Sequence, residues 1–310
     1  MGGSSGGYFY KRSKPSKIIK MINEEKAKNS DGELDAKVNS MLNDLLSDIN
    51  NRDHDTIQQR LNSVFNALEK NVDGTIDLRY GGSVSKHTYV DGLSDIDALA
   101  IINKTELAEK SPEDVKEYFF KQIKKRYPDS EIVKGKLAVT IKFQDGMELQ
   151  VLPALKSTQG IKIPSSREPE RWSRIINPDR FAKILRLMNQ KMSGKLIPLI
   201  KIAKSVIADL PENRQISGYH TEALAIDTMT DYIGPKNVKS MLKHFFLHGA
   251  SKLLTPILDK TGQSTHVDDY LGDNNSLSRK MVADSFSSIA RKMQAADSSK
   301  LLKAWEDLVR

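Results

Sequence analysis

Two aspartates, two positions apart, carry the most specific chemical signal in this sequence. Asp95 and Asp97 open an apolar run that ends at Ile102 and has the length and β-branched content of a buried strand. Side chains at positions i and i+2 of a strand project from the same face, so the two carboxylates point the same way. Neighbouring carboxylates repel each other unless a cation such as Mg²⁺ lies between them. The spacing therefore predicts a metal site.

A glycine pair followed by a serine stands about a dozen positions before the aspartates. The glycine at Gly82 lets the backbone approach a ligand closely. Amide groups at the start of the following turn, together with the Ser83 hydroxyl, can hold a phosphate. Alone, each half is typical of a loop or of a solvated strand end. Together and in this order, they predict a metal-bound nucleoside triphosphate.

This combination resembles the signature of the DNA polymerase β-like nucleotidyltransferase superfamily. Three later segments resemble one branch of it, the bacterial cGAS/DncV-like nucleotidyltransferases, also called the SMODS family, which are kin of oligoadenylate synthetase. The segments are 195–204 (KLIPLIKIAK), 216–222 (ISGYHTE) and 261–272 (TGQSTHVDDYLG). The resemblance covers roughly residues 30–295, which is the scale of a domain.

The resemblance implies two divalent ions, Mg²⁺ or Mn²⁺, held by Asp95, Asp97 and a third aspartate on a neighbouring strand. In this branch the third aspartate precedes a Val-Leu-Pro-Ala-like segment, and here the matching segment, 148–154 (ELQVLPA), places Gln150 at that position. A glutamine carbonyl can coordinate Mg²⁺, but it adds no charge and takes no proton. Glu148, two residues earlier on the same strand face, is an alternative ligand.

The glutamine leaves three interpretations open. The chain is an active enzyme with a modified third ligand, a degenerate protein that binds nucleotide without turnover, or a sequence altered at this position to trap substrate. The residues alone do not separate the last two.

The resemblance also assigns nucleotide contacts. It matches Lys204 and Ser217 to groups that contact the donor triphosphate, and Tyr219 to an aromatic ring that stacks on a nucleobase. From the residues alone, Lys201 and Lys204 are equally typical of side chains that extend from the edge of a core. Tyr219 is equally typical of a core tyrosine at the start of a helix.

The third matching segment contains His266, Asp268 and Asp269. These residues could hold a second metal ion, but no fourth ligand is suggested. Because aspartate is a favoured helix cap, capping and orienting the helices after Gly272 explains them better.

Composition excludes several classes of protein. The chain has 310 residues, of which 38% are hydrophobic and 28% charged, so it is long enough to bury a large core. It contains no cysteine, which excludes disulfides and thiolate zinc sites. No apolar run approaches the roughly twenty residues of a membrane span, and the Gly/Ser-rich start lacks the apolar centre of a signal peptide. These features predict a cytoplasmic protein without membrane contact.

The net charge of +8 favours polyanionic ligands. A nucleotide site accounts for only part of this excess. The remainder forms either a solvated basic surface or a patch that binds nucleic acid as an activator or substrate.

The periodicity of the chain predicts an α+β fold. Residues 1–30 are polar and glycine-rich, as in a flexible arm. Residues 31–177 are predicted to form a catalytic lobe, in which two helices brace the catalytic strand. Apolar residues alternate with polar ones on both sides of a turn at 145–146, which predicts an antiparallel hairpin. The hairpin is expected to belong to a mixed or antiparallel sheet. Residues 178–310 have helical periods and form a second lobe. The active-site cleft is expected between the lobes.

The leading hypothesis is a bacterial second-messenger synthetase. Such an enzyme joins nucleoside triphosphates, ATP among them, into a cyclic di- or oligonucleotide and releases pyrophosphate. Its product would activate an effector protein in antiphage (CBASS-type) defence without direct contact between enzyme and effector. The alternatives are an RNA terminal nucleotidyltransferase and, because of Gln150, a catalytically degenerate nucleotide or RNA sensor.

Overall fold

The structure, a computed structural model, describes residues 15–50, 54–70, 75–90, 96–103, 106–165, 168–260 and 264–309. Within these ranges the helices are α1 (Pro15–Asn50), α2 (His54–Glu69), α3 (Gly82–Ser85), α4 (Pro112–Arg126), α5 (Pro178–Lys191), α6 (Leu196–Ala208), α7 (Gly218–Met229), α8 (Val238–Lys252), α9 (Leu277–Ser299) and α10 (Leu302–Val309). The strands are β1 (Thr75–Tyr80), β2 (Ile96–Asn103), β3 (Glu131–Lys134), β4 (Val139–Lys142), β5 (Glu148–Ser157) and β6 (Gly160–Lys162).

The strands form one mixed sheet in the order β1-β2-β5-β4-β3, and β6 pairs with β5. The central β2 and β5 are parallel and the other pairs are antiparallel. The predicted hairpin is β4–β5, closed by a bond of 2.9 Å from the Phe143 amide to the Met147 carbonyl. Gly146 lies in its turn at φ +86°, which glycine adopts without a Cβ clash. The predicted α+β fold with a mixed sheet is confirmed.

One face of the sheet packs against α2 and α4. Successive side chains of β2 and β5 point to opposite faces of the sheet, so every second residue enters this core. The buried residues from these elements include Ile57, Leu61, Val64, Ile96, Ala98, Ala100, Ile102, Val115, Phe119, Leu149 and Val151. The opposite face of the sheet forms the floor of the cleft.

The helices α5 to α10 enclose the largest apolar core, which includes Phe245, Phe246, Phe286 and Trp305. Helix α1 belongs to this core as well, because its buried face, with Leu34, Val38, Met41, Leu42 and Leu46, packs among the same side chains. The expectation that both N-terminal helices brace the catalytic strand therefore holds for α2 and not for α1. An amphipathic pattern fixes which face of a helix is buried but leaves its partner to tertiary packing.

Helix boundaries follow the capping residues. The Ser111 hydroxyl accepts a bond of 3.2 Å from the Asp114 amide and starts α4, with Pro112 at its first position. Asn177 caps α5 in the same way. Of the expected N-terminal arm, residues 1–14 lie outside the described residues, and α1 begins at Pro15. Within the described ranges, no helix combines the length and apolarity needed to cross a membrane.

Candidate active site in the cleft between the lobes

A cleft of about 370 Å³ separates the open face of the sheet from the helical lobe. Its floor is apolar and consists of Leu99, Ile101, Leu152, Ile161, Ile163 and Ile176. The opposite wall comes from α5 and α7, with Phe181, Arg186 and Tyr219. The rim comes from the end of β1 and from α3, with Arg79, Gly82, Ser85 and Lys86. An apolar floor with a basic rim suits a ligand that has a flat ring and negative charges.

Asp97 lies at the edge of this cleft, directly against Gly82. The Gly81 amide donates a bond of 2.8 Å to the Asp97 carbonyl, which fixes the turn beside β2. Gly82 has φ +46°, and a Cβ atom there would lie 1.7 Å from Asp97 Oδ2. Only glycine therefore leaves room for the carboxylate at this position. Ser83 follows as a buried residue of α3.

Gln150 is the residue directly opposite Asp97 in the parallel pairing of β2 and β5. Partners in this register share a face, so the amide and the carboxylate lie side by side on the cleft side of the sheet. Glu148 lies two residues earlier on the same face, opposite Lys142 of β4. Asp95 lies outside the described residues. In the part of the chain that is described, no group of three or more His, Cys, Asp or Glu side chains is placed to hold a metal ion.

Lys204 is buried in α6. Its ammonium group donates to the Thr88 carbonyl at 3.0 Å and to Glu222 Oε1 at 2.9 Å. Burial lowers the pKa of Lys204 below its usual value, while the Glu222 and Asp97 carboxylates oppose that shift by favouring the charged form. A Cβ on Gly218 would lie 3.5 Å from Lys204 Nζ, so the start of α7 packs directly on this lysine.

Ser217 and Tyr219 flank that glycine. The Ser217 hydroxyl accepts a bond of 3.2 Å from the His220 amide and caps α7. The Tyr219 ring lies 4.8 Å from the Phe181 ring, centroid to centroid, and its hydroxyl donates to Asp259 at 2.9 Å. Gly218, between Ser217 and Tyr219, packs on Lys204, and of the three predicted nucleotide contacts Tyr219 lines the cleft. Their roles toward a nucleotide stay predictions.

Sequence reasoning missed two charged residues of this site, Lys86 and Glu222. Glu222 is buried in α7 and forms ion pairs with both Lys86 and Lys204. Burial alone would raise the pKa of Glu222, but the two ammonium groups outweigh it and hold the pKa below its ordinary value. The available signal was a lone carboxylate followed by the apolar run Ala223–Ile226, since a charge on a buried helix face requires partners.

The segment after Gly262 is structural. Asp268 is fully buried and accepts a bond of 2.7 Å from Arg279 of α9, while Ser276 caps that helix. His266 Nδ1 lies 3.1 Å from Asp269 Oδ1. The expectation that this segment orients the following helices fits these contacts. The capping role falls to Ser276 and not to an aspartate.

His220 is buried beside this pair, with Nε2 3.6 Å from Asp268 Oδ2 and Nδ1 2.9 Å from the Tyr270 hydroxyl. Burial lowers the pKa of His220 to about 4. The unfolded chain binds this proton near pH 6.5, so the folded state loses stability as pH falls from about 6.5 toward 4. We expect the free energy of unfolding to fall by up to about 3 kcal/mol from this group over that window. Urea unfolding at pH 7 and pH 4.5 measures the change.

The control is His220→Gln, which has no proton to gain. Its free energy of unfolding should lack this part of the pH dependence, whatever its stability at neutral pH. Equal pH slopes in the two proteins would show that His220 is not held neutral by the fold.

Three basic residues near the end of α4 have partners within the catalytic lobe. Lys121 pairs with Glu117 at 3.4 Å, Lys124 donates to the Pro128 and Ser130 carbonyls, and Arg126 donates to the Ser63 hydroxyl. Such contacts are typical of a solvated face. They favour the interpretation of this helix as surface over a nucleic-acid patch.

Residues 36–189 match the profile of a family described as the Second Messenger Oligonucleotide or Dinucleotide Synthetase domain. Among similar solved structures, Escherichia coli MS115-1 CdnC with ATP has a TM-score of 0.65 and 14% identity, over 82% of this chain and 89% of that chain. Bradyrhizobium diazoefficiens CdnG, a CD-NTase in complex with GTP, has a TM-score of 0.61 and 15% identity, over 83% and 88%. The Vibrio cholerae cyclic AMP-GMP synthase DncV, a prokaryotic cGAS homolog, has a TM-score of 0.60 and 9% identity, over 96% and 92%. A comparison with curated protein sequences gives no match.

Proposed function

Because this chain belongs to the bacterial cGAS/DncV-like nucleotidyltransferases, the SMODS family of cyclic oligonucleotide synthases, we propose that it joins nucleoside triphosphates into a cyclic di- or oligonucleotide and releases pyrophosphate. ATP and GTP are the first candidate substrates, since similar structures hold one or the other. The observation that carries the proposal is the contact between Gly82 and Asp97 at the edge of a basic-rimmed cleft.

The residues around Asp97 fit a divalent metal. Carboxylate and amide oxygens are the hard donors that Mg²⁺ prefers, and Asp97 and Gln150 present both on one sheet face. The missing side chain at Gly82 keeps the Asp97 carboxylate accessible. Asp95, Asp97 and either Gln150 or Glu148 would hold two ions, Mg²⁺ or Mn²⁺. When bound, the ions lower the pKa of the attacking hydroxyl and neutralise charge on the leaving pyrophosphate.

The other residues of the cleft bind and orient the substrate. In each joining step a ribose hydroxyl oxygen bonds to the α-phosphorus of a second nucleotide, the bond to pyrophosphate breaks, and the hydroxyl proton passes to solvent. We expect Lys204 and Ser217 to contact the triphosphate, as the family resemblance implies. The rings of Phe181 and Tyr219 offer a wall for a nucleobase. The apolar floor excludes water from the reacting atoms.

The test is an incubation of the full chain with four labelled nucleoside triphosphates and Mg²⁺ or Mn²⁺, with and without RNA. The expected result is a labelled product that resists phosphatase, because a cyclic product has no terminal phosphate. If the label is instead attached to the added RNA, the chain is an RNA terminal nucleotidyltransferase and the proposal is wrong.

One observation favours a second candidate function. Gln150 places a neutral amide opposite Asp97, where the resemblance implies a carboxylate, and a weaker metal site is expected from the missing charge. A degenerate protein would bind nucleotide without turnover. If the chain binds nucleotide but the same incubation yields no product, the catalytically degenerate sensor is favoured.

The proposal extends to antiphage (CBASS-type) signalling, in which the product and not the protein itself contacts the effector. A nucleic-acid activator is a separate part of it, supported by the net charge of +8. If a nucleic acid activates the enzyme, synthesis rises on its addition and the binding weakens steeply with salt. If synthesis is constitutive and no polynucleotide changes its rate, the excess positive charge belongs to a solvated surface.

Gln150→Asp tests the assignment of the third ligand. The variant restores a negative ligand beside Asp97, so we expect it to lower the Mg²⁺ concentration for half-maximal rate by about tenfold, with little change in nucleotide binding. Mg²⁺ titrations of the rate, and Mn²⁺ binding measured without substrate, check the change. Glu148→Gln should have the opposite effect if Glu148 substitutes for the missing carboxylate. An unchanged metal dependence in Gln150→Asp would mean that residue 150 is not at the metal.

A further inference from the structure

Glu222 connects the two lobes through one buried carboxylate. Lys86 and Thr88 of the catalytic lobe bond to it, and Lys204 of the helical lobe donates to Oε1 at 2.9 Å. The exposed fraction of the side chain is 1% for Glu222, 7% for Lys204 and 11% for Lys86. A carboxylate this deeply buried is costly unless it is paired, and here it has two cationic partners.

Glu222 neutralises one of the two lysine charges, so Lys86, Lys204 and Glu222 together carry one positive charge. Lys86 lies on the cleft rim, next to Gly82 and Ser85. Its ammonium nitrogen is 5.2 Å from the centroid of the Phe181 ring and 5.2 Å from that of the Tyr219 ring. A cation fixed between a glycine turn and two aromatic rings is placed for a ligand that has phosphates beside a base.

We propose that Lys86 contacts the phosphate groups of the nucleoside triphosphate, and that Glu222 is a positioning residue that holds Lys86 and Lys204 in place for this contact. The inference rests on the proposed function, because it names phosphate contacts within the same cleft. Lys86 follows Ser83 by three positions, so the turn that faces Asp97 also carries this cation.

The ion pair matters because a lysine side chain is flexible. Four rotatable bonds let an unpaired Lys86 extend into solvent, and binding a phosphate would then require ordering it again. With Glu222 in place, that ordering is already complete before the ligand arrives. Without the carboxylate, Lys86 and Lys204 also repel each other across the site.

The experiment measures binding of inorganic tripolyphosphate to the full chain by isothermal titration calorimetry, without metal. We expect Lys86→Met to weaken binding by about 10- to 100-fold, as for loss of a hydrogen bond to a charged group. Glu222→Gln keeps the shape of the side chain and should weaken binding in the same direction. Because Glu222 acts partly through Lys86, the double variant should bind more tightly than the sum of the two single effects predicts.

Two controls separate positioning from stability and from net charge. Asp297 of α9 also receives two lysines, Lys239 at 2.6 Å and Lys243, but lies outside the cleft lining. Asp297→Asn should lower the free energy of unfolding and leave tripolyphosphate binding unchanged. Lys183→Met removes an exposed lysine of α5 and the same single charge as Lys86→Met, and it should also leave binding unchanged.

A failure to weaken binding in Lys86→Met, or no tripolyphosphate binding by the unmodified chain, would overturn the inference. So would equal weakening by Lys183→Met, which would mean a general charge effect. If Glu222→Gln fails to fold, the phosphate contact is tested by Lys86→Met alone. In Lys86→Met, the fold-increase in KM for the triphosphate should exceed the fold-decrease in kcat. Lys86-dependent binding in a chain that forms no product would contradict the proposed function and leave this inference intact.

Discussion

We expect Asp97→Asn to lower the rate of nucleotide joining by about a thousandfold or more, the scale on which loss of one charge-stabilising group at a reacting centre acts. Asparagine keeps the shape of the side chain but removes the negative charge that a divalent ion requires. Initial rates with labelled nucleoside triphosphates at saturating Mg²⁺ measure the effect. Asp95→Asn should have a similar effect, because the two carboxylates are predicted to share the metal site.

The fold should survive this substitution. The substitution leaves in place the Asp97 backbone carbonyl, which accepts the bond from the Gly81 amide, so the turn beside β2 should be retained. The matched control is Asp77→Asn on β1, where the aspartate pairs with Ile101 in the same sheet but lies outside the cleft lining. Asp77→Asn should keep the rate. Product formation by Asp97→Asn at the normal rate would remove Asp97 from the metal site.

Gly82→Ala should lower the rate by about a hundredfold or more, since displacing a reacting group by about 1 Å can have that effect. The new Cβ would lie 1.7 Å from Asp97 Oδ2 and 2.6 Å from its Cγ, so either the carboxylate or the turn must move. Initial rates and Mn²⁺ binding together measure the displacement, because a displaced carboxylate loses the metal as well as the activity.

Gly146→Ala is the matched control for backbone strain. Gly146 also has a positive φ, +86°, but a Cβ there would meet nothing within 4 Å. Both variants should lose about 1 kcal/mol of stability from the left-handed backbone. Only Gly82→Ala should lose metal binding and rate. Equal and full activity in both variants would mean that Asp97 does not depend on the space at Gly82.

Much of the secondary structure follows from short patterns in the sequence. The alternation on both sides of the Asp145–Gly146 turn predicted the β4–β5 hairpin, and the Ser111–Pro112 cap predicted the start of α4. Each of these features depends on residues within a few positions of one another, so it is readable without the fold. The placement of Gln150 on a strand next to Asp97 was instead implied by the family resemblance.

The strands β3 and β6 were not predicted. Each is three or four residues long and pairs at the margin of the sheet. At that length the alternation of apolar and polar residues is too short to identify a strand. The place of α1 was misjudged for a different reason, because its apolar stripe fits either lobe and packing decided for the helical core.

By itself, the sequence determined the nucleotidyltransferase signature, because glycine, serine and aspartate do their chemistry at a fixed short spacing on one turn and one strand. Only the tertiary structure decided which charges share the site. Lys86 and Glu222 are 136 positions apart, and Lys204 and Glu222 are 18 apart. No local pattern relates residues at such separations. Their ion pairs exist because α3 and α6 pack on α7 and enclose one carboxylate, which must then find cationic partners.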